Sequence, residues 1–234
     1  MDVYLTDDPE RRRDGRGINV TGNGWEQMFY VGLDLGQRLD HSAIVVVERR
    51  DVVKAFLPAR FDSLLVRYVE RVPLGTPYPR VVARVRELVR HPDLAGQCSL
   101  VVDGTGVGAP VVEMLRAAQL GCEMTAVTIT GGERQHRHYA AGGAACSVPK
   151  QDLIAGVQVL LERGELRIAR KLKEAGALVR ELMSVRSTRG NKGRVKIGAE
   201  GCREHDDLVI ALALACWSFR RARSMHGTRR LTGI

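Results

Sequence analysis

Tyr30-Val31-Gly32-Leu33-Asp34-Leu35-Gly36, followed by Ser42-Ala43-Ile44-Val45-Val46-Val47, is the stretch that decides the fold. An apolar strand ends on a carboxylate, turns, and is answered by a second apolar strand. A buried ionised carboxylate is expensive unless it is paired or holds a cation. Two acidic sites downstream match it: Asp103, closing Leu100-Val101-Val102, and Asp206-Asp207, heading the apolar run Leu208-Val209-Ile210-Ala211-Leu212-Ala213-Leu214-Ala215.

Outward from that stretch, three strands are expected in close succession, at residues 29–34, 43–48 and 52–57, with Arg49-Arg50-Asp51 as the turn between the last two. That is an antiparallel meander. A further extended piece is expected at residues 64–72, before Pro73, Gly75 and Pro77 break the chain. Val81, Val82, Val85, Leu88 and Val89 then recur at helical spacing. Residues 99–103 form a short buried strand, 104–108 a tight loop, and Pro110 sits where a helix starts. Residues 124–129 are the next strand. Alternation of strand and helix after residue 78 implies parallel crossovers, so the sheet is mixed, antiparallel first and parallel later.

Residues 131–147 carry Gly, Ala, His and Arg with no apolar period, and are expected to be a mobile or functional loop in which His136 and His138 are solvated. Helices are expected over residues 152–163 and 172–183. A basic hairpin is expected over 185–197, turning at Gly190, Asn191 and Gly193. The last helix, from about residue 205 to 221, is apolar nearly all round in its first half and belongs in the interior. Residues 1–24 are expected to be a flexible leader, 25–221 one domain, and 222–234 a basic tail to which Arg220 and Arg221 lead.

With 234 residues the chain is long enough for one full core. Lys and Arg number 36 against 27 Asp and Glu, a formal net charge of +9, which favours a polyanionic partner. No apolar run reaches the roughly 20 residues of a membrane span, and there is no signal-peptide core. Five cysteines without a Cys-x-x-Cys spacing argue against a disulfide framework and against zinc. A soluble protein of a reducing compartment, the cytoplasm, is expected.

Ligands of open α/β sheets gather at the carboxyl ends of the strands, where Asp34 and Asp103 fall. If those two strands are neighbours their carboxylates converge, and a helix starting at residue 205 would then bring Asp206 or Asp207 to the same place. Three carboxylates about 5 Å apart repel by roughly 3 kcal/mol per pair at an effective dielectric of ~20. Cations or protons must relieve this. Oxygen donors favour Mg²⁺ or Mn²⁺, and two such ions suit attack of water on a phosphodiester.

The order of motifs resembles the nuclease domain of phage large terminases. It is carried by Gly32-Leu33-Asp34-Leu35-Gly36 with Asp40 and Ser42-Ala43-Ile44, by Val102-Asp103-Gly104-Thr105-Gly106-Val107-Gly108, by Val148-Pro149-Lys150 leading into a helix, and by His205-Asp206-Asp207-Leu208. The resemblance spans residues 28–218. It implies an RNase H-like α/β fold, a mixed central sheet flanked by helices. It also implies metal-dependent cleavage of double-stranded DNA during genome packaging, in the host cytoplasm. Asp34, Asp103 and one or both of Asp206 and Asp207 would be catalytic metal ligands, with Asp40 as an accessory acid. Its partners would be a packaging ATPase, a portal and a small terminase protein. The chain has no Gly-x-x-x-x-Gly-Lys-Ser/Thr loop, so it is expected not to translocate DNA alone, whether as an excised domain or as a stand-alone relative.

Each acid taken singly also fits a turn former or a helix cap; all of them in this order fit a metal cluster. His205 reads as an accessory cap or hydrogen-bond partner. Candidate DNA contacts are Lys150, for which a plain surface lysine is the alternative, and Arg186, Arg189, Lys192, Arg194 and Lys196 of the basic hairpin. Competing readings are a Holliday-junction resolvase of the same fold and a non-catalytic DNA-binding or assembly module. Actin-like sugar kinases share Gly-x-Asp-x-Gly and Asp-Gly-Thr-Gly, but they need a second domain for which 234 residues leave too little chain.

Overall fold

The structure, a computed structural model, describes residues 5–6, 28–36, 40–53, 60–106, 108–132, 135–140, 143–189, 195–199 and 206–228. In chain order the elements are β1 (Leu5–Thr6), β2 (Phe29–Asp34), β3 (Ala43–Val53), β4 (Arg60–Arg71), α1 (Tyr78–Val89), β5 (Cys98–Asp103), α2 (Gly108–Ala117) and β6 (Glu123–Thr130). They continue as β7 (His136–Ala140), β8 (Gly143–Pro149), α3 (Lys150–Glu162), β9 (Leu166–Ala169), α4 (Ala175–Ser184), β10 (Val185–Arg189), β11 (Val195–Ala199) and α5 (Asp207–Thr228).

Among the described residues nine strands form one sheet in the order β1-β9-β4-β3-β2-β5-β6-β8-β7, and β10 and β11 pair separately as the expected hairpin. β3 is antiparallel to both of its neighbours, β2 and β4, whereas β5, β6 and β8 follow β2 in parallel. This is the mixed sheet read from the sequence, with β1, β7, β8 and β9 added; β7 returns antiparallel on β8 at one edge.

Both sheet faces are buried, so the central strands are apolar at every position rather than at alternate ones. Tyr30, Ala43, Val45 and Val47 face the layer of α3, α4 and α5. Phe29, Val31, Leu33, Ile44 and Val46 face α1 and α2, which contribute Val81, Val85, Val111 and Leu115. The first half of α5 is buried on all sides, from Leu208 to Trp217, and lies against β2 and β3.

That contact explains Gly32. A Cβ there would sit 1.9 Å from the Ala211 carbonyl oxygen and 2.9 Å from the Ala215 amide nitrogen. The glycine of the Gly-Leu-Asp motif thus serves close approach of helix and strand, and leaves the chemistry to its neighbours. Gly32→Ala is expected to cost about 3 kcal/mol, the upper part of the range for overpacking, measured by urea denaturation.

Several boundaries differ from the sequence reading. Arg49-Arg50-Asp51 is not a turn: β3 runs through it and pairs with β4 from Ala43↔Arg71 to Val53↔Arg60. Within the sheet Arg50 donates to Glu48, only 5% exposed, at 3.2 Å, and Arg67 of β4 donates to the same carboxylate at 2.5 Å. The third strand is therefore β4, which absorbs the extended piece at 64–72; of the expected strand at 52–57, residues 52 and 53 end β3 and 54–59 lie outside the described residues.

The stretch at 131–147 is not a structureless loop, because β7 and β8 occupy it. Parallel pairing with β6 and burial of Ala145, Cys146 and Val148 hold β8 without needing a regular apolar period. β9, four residues long, gave too short a pattern to read, although Leu166 and Ile168 are fully buried. α4 begins at Ala175 rather than 172, and α5 extends to Thr228, so it carries Arg220, Arg221 and Arg223. Of the expected leader, Leu5–Thr6 pair in parallel with β9. No helix among the described residues is long and apolar enough to cross a membrane.

Candidate metal centre

β2 and β5 are parallel neighbours with Leu33 opposite Val102. Asp34 and Asp103 are each the next residue, so register alone brings both carboxylates to the same end of the sheet. The turn after Asp34 is pinned: Gly36 N–H donates to Ser42 Oγ at 3.1 Å, and Tyr78 Oη donates to the Gly36 carbonyl at 3.1 Å. Past Asp103, the Thr105 amide donates to Asp103 Oδ1 at 2.8 Å, and Ile129 N–H donates to Thr105 Oγ1 at 2.7 Å. These bonds fix one oxygen of Asp103 and tie its loop to β6.

The N-terminus of α5 meets the same sheet end. Asp34, Asp40, Asp103, Asp206 and Asp207 line one open cleft of about 430 Å³, with Lys150 on its wall. Asp103 is 9% and Asp207 6% exposed, whereas Asp34 and Asp206 are half-buried. Lys150, the first residue of α3, reaches in so that its Nζ stands 2.5 Å from Asp206 Oδ2. It is no plain surface lysine. The structure brings together the five aspartates and Lys150 singled out from the sequence; His205, Lys192 and Arg194, and the side chains of Arg186, Arg189 and Lys196, lie outside the described residues.

The electrostatics follow from that crowding. Asp34 has its pKa raised well above the ordinary carboxylate value, first by burial and then by the negative charges of Asp103, Asp207 and Asp206, with Lys150 opposing. Asp103 is raised by burial against hydrogen bonds from Thr105 and the charge of Lys150. Such shifts mark groups that hold their charge under strain.

Among the described residues no three acidic, imidazole or thiol groups stand at metal-gripping spacing. Two of the acids already have partners, Asp103 the Thr105 amide and Asp206 the Lys150 ammonium, while Asp34 faces the charges of its neighbours. The donor set nonetheless fits a hard divalent cation, since the described residues lining the cleft offer carboxylate oxygens and neither sulfur nor imidazole.

Sequence reading missed Glu181. It lies in α4, only 8% exposed, with Oε2 accepting from the amides of Leu208 and Val209 at 3.0 and 3.2 Å and Oε1 paired with the Arg71 guanidinium. Burial pushes its pKa to about 7 against the pull of Arg71 and the α5 amides, and Asp207 adds to the rise. One signal was available: Glu181 falls at helical spacing with Leu178 and Leu182, on the buried face of α4.

No protein-family model and no curated protein matches the chain. Solved structures do. The large terminase nuclease from thermophilic phage G20c with bound magnesium is 22% identical, with a TM-score of 0.57 and 92% of each chain covered. The same nuclease with bound cobalt is 23% identical at a TM-score of 0.56, again over 92% of each chain. The large terminase nuclease domain of Thermus phage P74-26 is 22% identical at 0.54, over 91% of this chain and 88% of that one. At this level of identity the likeness concerns architecture: the chain has the RNase H-like fold of these terminase nucleases, as the motif order implied.

Proposed function

We propose that this chain is a divalent-metal-dependent endonuclease that cuts double-stranded DNA during viral genome packaging. The observation that carries the reading is the convergence of Asp34, Asp103, Asp206 and Asp207 on one cleft at the carboxyl ends of β2 and β5. A net charge of +9 and a fold shared with terminase nucleases solved with magnesium and cobalt support it. The nuclease domain spans residues 25–221, and its partners are a packaging ATPase, a portal and a small terminase protein.

Asp34 and Asp103 hold the ions, with one or both of Asp206 and Asp207 completing the set. The chemistry that two Mg²⁺ or Mn²⁺ ions would supply there is activation of water and neutralisation of negative charge for phosphodiester hydrolysis. Asp103 offers the cleft the oxygen that the Thr105 amide leaves open. Asp40, exposed at the rim, is the accessory acid. Lys150 neutralises Asp206 and stands where a DNA phosphate would approach. Arg186, Arg189, Lys192, Arg194 and Lys196 of the β10–β11 hairpin track the DNA backbone, so binding weakens steeply with salt.

The direct test is supercoiled plasmid incubated with the protein and Mn²⁺, with Asp103→Asn as control. Nicking and linearisation lost in that variant support the reading; cutting that persists unchanged in it refutes it. Lys150 gives a separate prediction. Because its ammonium competes for Asp206, Lys150→Met is expected to tighten Mn²⁺ binding about tenfold, as loss of one nearby positive charge requires, read by calorimetry.

A further inference from the structure

The start of α5 is capped from another helix. The Asp206 carbonyl accepts from Ile210 N–H at 2.9 Å, which makes Asp206 the residue just outside the helix. An aspartate there ordinarily turns its side chain onto the second or third helical amide. Those amides belong to Leu208 and Val209, and both donate to Glu181 Oε2 instead. The other Glu181 oxygen is held by Arg71, at the end of β4. The Asp206 carboxylate points away from its own helix, to Lys150 in the cleft.

We infer that Glu181 is a positioning residue. By supplying the cap that Asp206 would otherwise supply, it leaves the Asp206 carboxylate available to the cleft and sets the first turn of α5, with Asp207, against Asp34 and Asp103. A buried carboxylate anchored by two amides and a guanidinium is a stiff support, and Arg71 ties it to the same sheet that carries Asp34. The inference rests on the metal-centre reading for its consequence, not for its geometry.

The test uses the full chain and Mn²⁺ alone, following free Mn²⁺ by electron paramagnetic resonance. Glu181→Ala is expected to weaken Mn²⁺ binding at least tenfold, as loss of an outer partner of a metal ligand does. Glu181→Gln keeps an oxygen for the two amides but loses the ion pair with Arg71, so it is expected to weaken Mn²⁺ binding less than Glu181→Ala does. A second readout needs no metal. With Glu181→Ala the freed Asp206 side chain returns to cap its own helix, so Asp206→Ala then lowers the urea midpoint more than it does with Glu181 present, a coupling seen in a double-mutant cycle. Unchanged Mn²⁺ affinity in Glu181→Ala, or no coupling to Asp206, overturns the inference. If Glu181→Ala does not fold, Arg71→Met, which unmoors the same carboxylate, is read by the same two criteria. Wild type that fails to bind Mn²⁺ sinks the metal-centre reading instead, and the metal-free cycle still decides the exchange of caps.

Discussion

Asp34→Asn is expected to abolish DNA cleavage while making the metal-free protein more stable. Asp34 is raised well above the usual carboxylate range by burial and by three other aspartates, so its charge costs folding free energy at neutral pH. An asparagine of the same shape removes that charge and the repulsion with it. The expected gain in melting temperature without metal is about 3 °C, on the order of 1 kcal/mol for a chain of this size. Cleavage should fall by roughly 10³-fold, the scale for losing a group that stabilises developing charge. Calorimetry and plasmid nicking on the same preparation check both halves. A variant that is inactive because it is unfolded, or stable and still active, contradicts the account. The opposition of stability and function is the usual mark of a site that stores strain for chemistry.

The second large effect is the reversal by Mn²⁺ of the pH dependence of stability. Asp34 and Asp103 bind protons more tightly in the folded chain than in the unfolded one, because both are raised. Glu181 behaves likewise, between its ordinary 4.5 and about 7. For a carboxyl raised on folding, the native state carries more protons than the unfolded state across that interval, so stability falls as pH rises through it. The metal-free melting temperature should therefore climb as pH is lowered from 7.5 toward 5. Cations demand deprotonated ligands, so the increment added by Mn²⁺ grows over the same interval in the opposite direction. At a hundredfold excess over Kd the increment is about 2.7 kcal/mol, or several degrees. Melting curves from pH 5 to 8 with and without Mn²⁺ should diverge with rising pH. Parallel curves would mean that the cleft carboxylates do not meet the ion.

Much of this was legible in the chain because two-sided burial and parallel register write themselves into sequence. The apolar runs ending on Asp34 and Asp103 read as two strands whose acids meet if the strands are neighbours, and the fold pairs them in parallel. The all-round apolar character of α5 gave its burial against the sheet. What stayed hidden had a physical cause in each case. Arg49-Arg50-Asp51 looks like a turn because it is charged, whereas in the fold Arg50 donates to Glu48 on the same strand and Arg67 of β4 holds that carboxylate from across the sheet. β7 and β8 are held by backbone pairing at the sheet edge, which leaves no apolar period. Glu181 sat in plain view at a core position, but its partners, Arg71 and the α5 amides, are 110, 27 and 28 residues away.

The central claim is that the carboxylates of the cleft share divalent cations. Crystals soaked in Mn²⁺ and measured at the manganese absorption edge test it most directly. The account predicts anomalous peaks in the cleft, with oxygens of Asp34, Asp103 and at least one of Asp206 and Asp207 about 2.1 Å from them. Peaks lying elsewhere, or no peak touching Asp34 and Asp103 together, would contradict it.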